Sequence, residues 1–214
     1  MSAEQEKQVA AVAAAQLVED GMTVGLGTGT TVAHLLDALA ARGLTGIRCV
    51  STSPATEARA RELGIPTEDF GAVDAFDIAI DGADQVAPDF WLVKGGGAAH
   101  TREKVVAASA ERFVVMIDSS KTVEAITAPI PVELLAYGLS ATLRRLGDTE
   151  LRDVPHSPDG GVIADYRGEV GDPAALAARL SGTAGVVEHG LFPPAMVSAV
   201  VMGRGDEAVW LERR

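Results

Sequence analysis

The sequence predicts an α/β fold: a mainly parallel sheet with a smaller α+β domain inserted before the final strands. Three observations predict it. Short apolar runs alternate with helical stretches of about ten residues, the pattern of βαβ units. Beyond Ala128 the order changes to strand, helix, strand, strand, helix, strand, a ferredoxin-like split βαββαβ unit. The closing stretch then offers two strands about a Gly203-Arg204-Gly205-Asp206 turn, a hairpin able to rejoin the first sheet.

Residues 4–19 are alanine-rich with Val9, Val12, Leu17 and Val18 at helical spacing, and predict a helix ending near Asp20-Gly21. A strand over 22–27 breaks into glycines, and a helix over 31–43 is closed by Gly43. After a strand at 46–53, Ser53 is placed to cap a helix over 54–63 that has Pro54 at its first position. Strands follow at 77–81, 90–94 and 112–118, with a helix over 101–111. Pro129-Ile130-Pro131 marks the junction, so the expected domains are 1–128 plus 195–214 and, inserted between them, 129–194. Within the insert, strands are expected at 131–135, 149–153, 161–167 and 185–191, and helices at 137–146 and 173–181.

Composition narrows the function. Apolar residues are 47% of the 214 and aromatics only 4%, so the core must be built from Ala, Val, Leu and Ile. A net charge of -12 repels nucleic-acid phosphates and anionic membranes, which points to a small-molecule partner. Cys49 is the single cysteine, which excludes an intramolecular disulfide and fits a reducing cytosol. The N-terminus has no signal-peptide pattern and no apolar run approaches the roughly 20 residues of a membrane span, so a soluble cytoplasmic protein is expected.

Three motifs carry candidate chemistry. Gly25-Leu26-Gly27-Thr28-Gly29-Thr30-Thr31 lies between a strand and a helix, where glycine backbone and a helix start can cradle a phosphate. Its G-x-G-x-G spacing is not the dinucleotide fingerprint, the next strand ends without a ribose-binding acid, and the P-loop ending is missing. The same stretch also reads as a tight turn with threonine capping. Asp81-Gly82-Ala83-Asp84 follows an apolar strand; its carboxylates suit hydroxyl protons or a cation, or simply an Asp-Gly turn followed by Asp84 as a helix cap. Neither calcium-loop nor zinc-site spacing occurs, so no metal is expected. Lys94-Gly95-Gly96-Gly97 ends the strand at 90–94, and Glu103 opens the next helix. That lysine can steady an oxyanion or snorkel from an edge, and the acid can be a base or merely complement the helix dipole. Asp81, Lys94, Glu103 and Lys121 are all expected at the same end of one sheet. His34 and His100 lie near the loops without an acid partner evident in the sequence.

Taken in order and spacing, GLGTGTT, DGAD, KGGGAAHTREK and a late GVVEHGLF resemble the ribose-5-phosphate isomerase A family over nearly the whole chain. The resemblance implies a Rossmann-like mainly parallel sheet with an inserted ferredoxin-like α+β small domain, and a homodimer. It implies cofactor-free and metal-free interconversion of ribose 5-phosphate and ribulose 5-phosphate, a step of the non-oxidative pentose phosphate pathway. Carried across, Thr28, Gly29, Thr30 and Thr31 become the substrate loop, Asp81, Gly82, Ala83 and Asp84 the acidic turn, and Lys94, Gly95, Gly96 and Gly97 the glycine loop. Glu103 becomes the base, with Asp81, Asp84 and Lys94 catalytic beside it, and Lys121 and Lys7 become substrate contacts. Gln85 and His100 stand where the family commonly has Glu and Leu. Two rivals stay open: a non-catalytic sugar-phosphate sensor, against which the lack of a preceding basic helix-turn-helix counts, and another enzyme on this scaffold, a CoA transferase or sugar-phosphate deaminase.

Overall fold

The computed structural model describes residues 2–213. In chain order the first elements are α1 (Ala3–Ala15), β1 (Thr23–Leu26), α2 (Thr30–Arg42), β2 (Arg48–Ser51), α3 (Pro54–Glu62) and β3 (Ile78–Gly82). Then come β4 (Gln85–Val86), β5 (Leu92–Val93), α4 (His100–Ala108), β6 (Phe113–Asp118), β7 (Ile130–Leu134), α5 (Leu139–Leu146) and β8 (Thr149–Leu151). The chain ends with β9 (Val162–Tyr166), α6 (Pro173–Ser181), β10 (Val186–His189), β11 (Leu191–Phe192), β12 (Ala199–Arg204) and β13 (Glu207–Trp210). It packs as two units, the first made of residues 1–83, 102–121 and 195–214, the second of 84–101 and 122–194.

The first unit is the doubly wound part. Its sheet runs β13-β12-β6-β3-β1-β2, parallel throughout except for the β12–β13 hairpin. The parallel strands read as unbroken apolar runs because both faces are covered; all six residues of β6 are buried. Ser2 opens α1 with a capping box to Gln5, and Ala10, Ala11, Ala14 and Ala15 form its fully buried face. Such a small-residue face lets backbone approach backbone. At Gly203 on β12 an added Cβ would lie 1.8 Å from the Glu6 carbonyl oxygen, so that contact exists only for glycine. Leu35, Leu36 and Leu39 of α2 complete the core, each worth about 1.5–3 kcal/mol on burial. Ser53 caps α3 with Pro54 in its first turn, as the sequence predicts, and Cys49 is buried in β2 with its thiol pushed up to about 12, chiefly by burial.

The second unit holds the split βαββαβ segment. Its antiparallel sheet has the order β10-β7-β9-β8, the ferredoxin-like arrangement, over a core including Ile130, Val132, Leu134, Leu176 and Leu180. One expectation fails here. The strand at 90–94 is not part of the main sheet: only Leu92–Val93 is strand, and it lies between β4 and β11 in a three-stranded antiparallel sheet. Apolar pattern alone cannot say which sheet a short run joins.

Glu6 ties α1 to two turns of its own unit. Its carboxylate accepts from the Gly205 amide (3.0 Å), the Ser119 amide (2.9 Å) and the Ser119 hydroxyl (2.6 Å). Those donors, Gly205 first, hold its pKa at about 2 against an ordinary 4.5. The stabilisation is therefore complete above about pH 4.5 and disappears as pH falls toward 2. Glu6→Gln is expected to lower the urea midpoint at pH 7, and the gap to the unsubstituted protein should narrow on acidification to pH 3. A gap independent of pH would show that the carboxylate charge is not what stabilises this junction.

Candidate active site

In the first unit, the chain leaves β1 through Gly27 and enters α2 at Gly29, whose φ of 113° lies in the region that favours glycine. No side chain from the capping position satisfies the first-turn amides of α2. Asp81, at the C-terminal end of β3 and 3% exposed, lies directly beneath this turn. Its Oδ1 accepts from the Thr28 amide (3.1 Å) and the Gly82 amide (2.7 Å). Gly27 makes room for it: a Cβ there would sit 1.9 Å from the Asp81 carboxyl carbon. Behind the turn, Thr28 shares a 2.8 Å hydroxyl contact with Thr52, and Thr56 donates to the Gly27 carbonyl at 2.9 Å. A cavity of about 320 Å³ opens at the starts of α2 and α3, lined by Thr28, Gly29, Thr30, Ala33, Thr56 and Arg59 among others.

Lys7 reaches the same loop from α1, with Nζ donating to the Thr30 hydroxyl at 2.9 Å and to Glu4 at 3.2 Å. Glu4 also meets His34 at 2.7 Å, so His34 has the acid partner that sequence inspection failed to find. His34, then Lys7, draws the Glu4 pKa below its ordinary value. Val106 of α4 packs over Gly25 of β1, where even a Cβ would collide with it at 2.4 Å. Glu103, one turn earlier on the same face of α4, is 4% exposed. Since α4 feeds parallel strand β6, its start lies at the C-terminal edge of the sheet, the edge that carries Asp81 and the Thr28–Thr31 turn. Lys121 ends the short turn after β6 at this edge as well.

The second unit holds the other predicted residues, and Lys94 is not at the end of the main sheet. It follows β5, is 3% exposed, donates its amide to the Gly190 carbonyl at 2.9 Å, and places Nζ 5.5 Å from the centre of the Phe192 ring. The expectation of a shared sheet end fails for it because β5 belongs to the antiparallel sheet. Asp84 is a loop clamp rather than a helix cap: its Oδ2 accepts from the Gly96 amide at 2.8 Å. Gly95, with φ of 109°, lies against buried His100, whose Nδ1 would be 2.8 Å from an added Cβ. Gln85 donates to the Thr127 carbonyl and accepts from the Thr127 amide, both at 2.9 Å. An ionised Glu could supply only the acceptor half of that bridge.

Sequence reasoning missed several supporting residues. Thr52 and Thr56 carry no motif of their own, although the Ser53 cap pointed at that turn. Glu133, 2% exposed on β7, accepts from the hydroxyls of Thr101 and Ser157 and so anchors the residue two before Glu103. Among the described residues, no group of three or more His, Cys, Asp or Glu side chains is arranged to hold a metal ion.

A doubly wound sheet with an uncapped helix start, a buried carboxylate beneath it and a second buried carboxylate on the same edge defines an α/β protein with carboxylates gathered at the C-terminal edge of its sheet, where such folds bind ligands. Residues 48–207 match the family model for ribose 5-phosphate isomerase A (phosphoriboisomerase A). Ribose-5-phosphate isomerase A of Caulobacter vibrioides strain NA1000 is 46% identical over 207 residues, covering 90% of this chain and 91% of its own. Among solved structures, ribose 5 phosphate isomerase A from Neisseria gonorrhoeae matches with a TM-score of 0.95 at 30% identity, over 100% of this chain and 98% of that one. A D-ribose-5-phosphate isomerase solved in complex with phospho-erythronic acid matches at a TM-score of 0.93 and 34% identity, over 100% of both chains. The chain belongs to the ribose 5-phosphate isomerase A family. Residues 2–63 also match the DeoR C-terminal sensor domain, a segment that contains the Thr28–Thr31 turn but ends before Asp81 and Glu103.

Proposed function

We propose that this chain interconverts D-ribose 5-phosphate and D-ribulose 5-phosphate through a cis-enediolate, as a cytoplasmic enzyme of the non-oxidative pentose phosphate pathway. The observation that carries the reading is the buried Glu103 at the sheet edge that also holds Asp81 and the glycine-threonine turn. A sensor needs the turn but has no use for a buried base.

In the proposed reaction Asp81 assists ring opening by moving hydroxyl protons. Glu103 takes the proton from C2 of the open aldose, and the C–H electron pair becomes the C1–C2 double bond while O1 takes the negative charge. The proton on O2 passes to O1, with Asp81 and Asp84 as the available carboxylates. Glu103 then returns its proton to C1, leaving the ketone at C2. Lys94 and amides of the glycine loop hold the enediolate oxygen, a contribution of about 3 kcal/mol for one well-placed donor. The 5-phosphate is assigned to the amides and hydroxyls of Thr28 through Thr31, with Lys7 and Lys121 as cations. The reaction so written needs no cofactor or metal.

The catalytic and small domains of this proposal are residues 1–128 plus 195–214 and residues 129–194; by packing, 84–101 and 122–128 associate with the latter. We place the chain as a homodimer. Tyr137, Leu135 and Val187 of the small domain, 93%, 51% and 43% exposed, offer apolar surface for the second copy. A sedimentation mass of one chain at micromolar concentration would remove the dimer. The activity is tested by following ribulose 5-phosphate formation from ribose 5-phosphate with EDTA present. Turnover supports the isomerase without metal; inertness with and without divalent cations leaves the sensor reading.

A further inference from the structure

One guanidinium outside the predicted set is built into the glycine loop. Arg152 follows β8, and its own amide is fixed by donation to the Ile163 carbonyl at 3.0 Å. Its side chain and that of Asp165 are 17% and 14% exposed and form a two-pronged pair, Nε to Oδ2 at 2.8 Å and Nη2 to Oδ1 at 2.6 Å. That fork leaves Nη1 aimed away from the carboxylate, and it donates to the Gly95 carbonyl at 2.7 Å and to the Gly96 carbonyl at 3.4 Å.

The other side of the same peptide is also held. The Gly96 amide donates to Asp84 at 2.8 Å. A trans peptide directs its C=O and N–H in opposite senses, so a donor on one and an acceptor on the other fix the rotation of its plane. Without them this plane would be soft, because it joins two glycines in a loop where Gly95 has a φ of 109°. Lysine cannot substitute fully: one ammonium does not span a carboxylate fork and a carbonyl in fixed planar geometry.

We propose that Arg152, oriented by Asp165, is a positioning residue that sets the plane of the Gly95–Gly96 peptide and thereby aims the glycine-loop amides and Lys94 at the reacting sugar oxygen. The inference rests on the isomerase reading for its effect on rate, though not for its effect on the loop. It gives Asp84 a defined part, the acceptor opposite Arg152, and makes the inserted domain a contributor to catalysis rather than a passive addition.

The test compares the unsubstituted protein with Arg152→Met, Arg152→Lys and Asp165→Asn, measuring isomerase kinetics, thermal melts, and hydrogen–deuterium exchange of the peptide spanning 93–99. The expected result is a kcat loss of roughly 30- to 100-fold in Arg152→Met, the scale of a loop misplaced by about an ångström, with KM within about threefold and the fold retained. Arg152→Lys and Asp165→Asn should fall between, and exchange in 93–99 should quicken in the same order. A kcat within about twofold of the unsubstituted protein, or a change confined to KM, overturns the positioning role. Loss of fold in both Arg152→Met and Asp165→Asn overturns it as well, making the pair architectural. Should the unsubstituted protein be inert, the isomerase reading fails separately; the exchange data still judge the clamp, and unchanged exchange refutes it.

Discussion

Glu103→Gln is expected to lower kcat for ribose 5-phosphate by roughly 10²–10⁴-fold while KM moves by no more than a few-fold. Glutamine keeps the size and shape of the side chain on a helix face that is anchored by Val106 against Gly25. It removes only the ability to accept a proton from carbon. The 5-phosphate and hydroxyl contacts assigned to other residues would remain, so ground-state binding should survive. In heavy water, the unsubstituted enzyme should place solvent deuterium on the transferred position, and the variant should not. A variant with near-normal kcat would show that another group carries the proton. A kcat loss matched by a proportional rise in KM would mean that Glu103 serves binding instead.

The residues named for this chemistry were legible to different depths. Thr28 through Thr31 and Asp81 could be placed because each lies directly at the end of a parallel strand, where the α/β architecture itself says which way the chain turns. Gly27 was visible as part of a glycine run, but not as the residue that admits a carboxylate; that needs the register of β1 against β3. Lys94 was recognised as chemistry yet placed on the wrong sheet. Val93 and Leu92 are as apolar as any main-sheet strand, and nothing in two residues distinguishes a parallel partner from the antiparallel β4 and β11. The helix over 173–181 was readable to the residue, since Asp172 caps it and Pro173 starts it.

Arg152, Glu133 and Glu6 were not legible at all. Each acts through a partner far away in sequence: Arg152 reaches Gly95 across 57 positions, Glu133 reaches Thr101 across 32, and Glu6 reaches Gly205 across 199. Local pattern carries no signal for such pairs. Arg152 and Glu133 are charged residues beside or inside insert strands, and Glu6 lies in the first turns of α1, all places where propensity alone would leave a charge at the surface.

The second large effect is expected from a single methyl group. Gly27→Ala would place Cβ 1.9 Å from the Asp81 carboxyl carbon and 2.0 Å from its Oδ1, well inside van der Waals contact. Either the turn or the carboxylate must move. The turn is held by the Gly27 amide to the Ile80 carbonyl at 3.0 Å and by Thr56 to the Gly27 carbonyl at 2.9 Å. Asp81 Oδ1 accepts from the amides of Thr28 and Gly82. Rotating the carboxylate is not enough, because the Asp81 Cβ would also lie 2.5 Å away, so the variant should displace Asp81 as a whole and break its bonds to the turn, at a cost of about 1–3 kcal/mol in stability. Its larger effect should be on rate. With Asp81 displaced, both ring opening and the O1/O2 proton exchange lose their acid-base group, and kcat should fall by roughly 10²-fold. Asp81→Gly in the Gly27→Ala background separates the two effects, because the Asp81 Cβ would itself lie 2.5 Å from the new methyl group and an alanine at 81 would keep it. If Gly27→Ala acts through Asp81, the double variant should recover part of the lost stability, since the overlapping side-chain atoms are gone, but none of the lost rate. Recovery of activity in the double variant, or a single variant of normal rate and stability, would mean that the turn yields instead and that Asp81 does not depend on it.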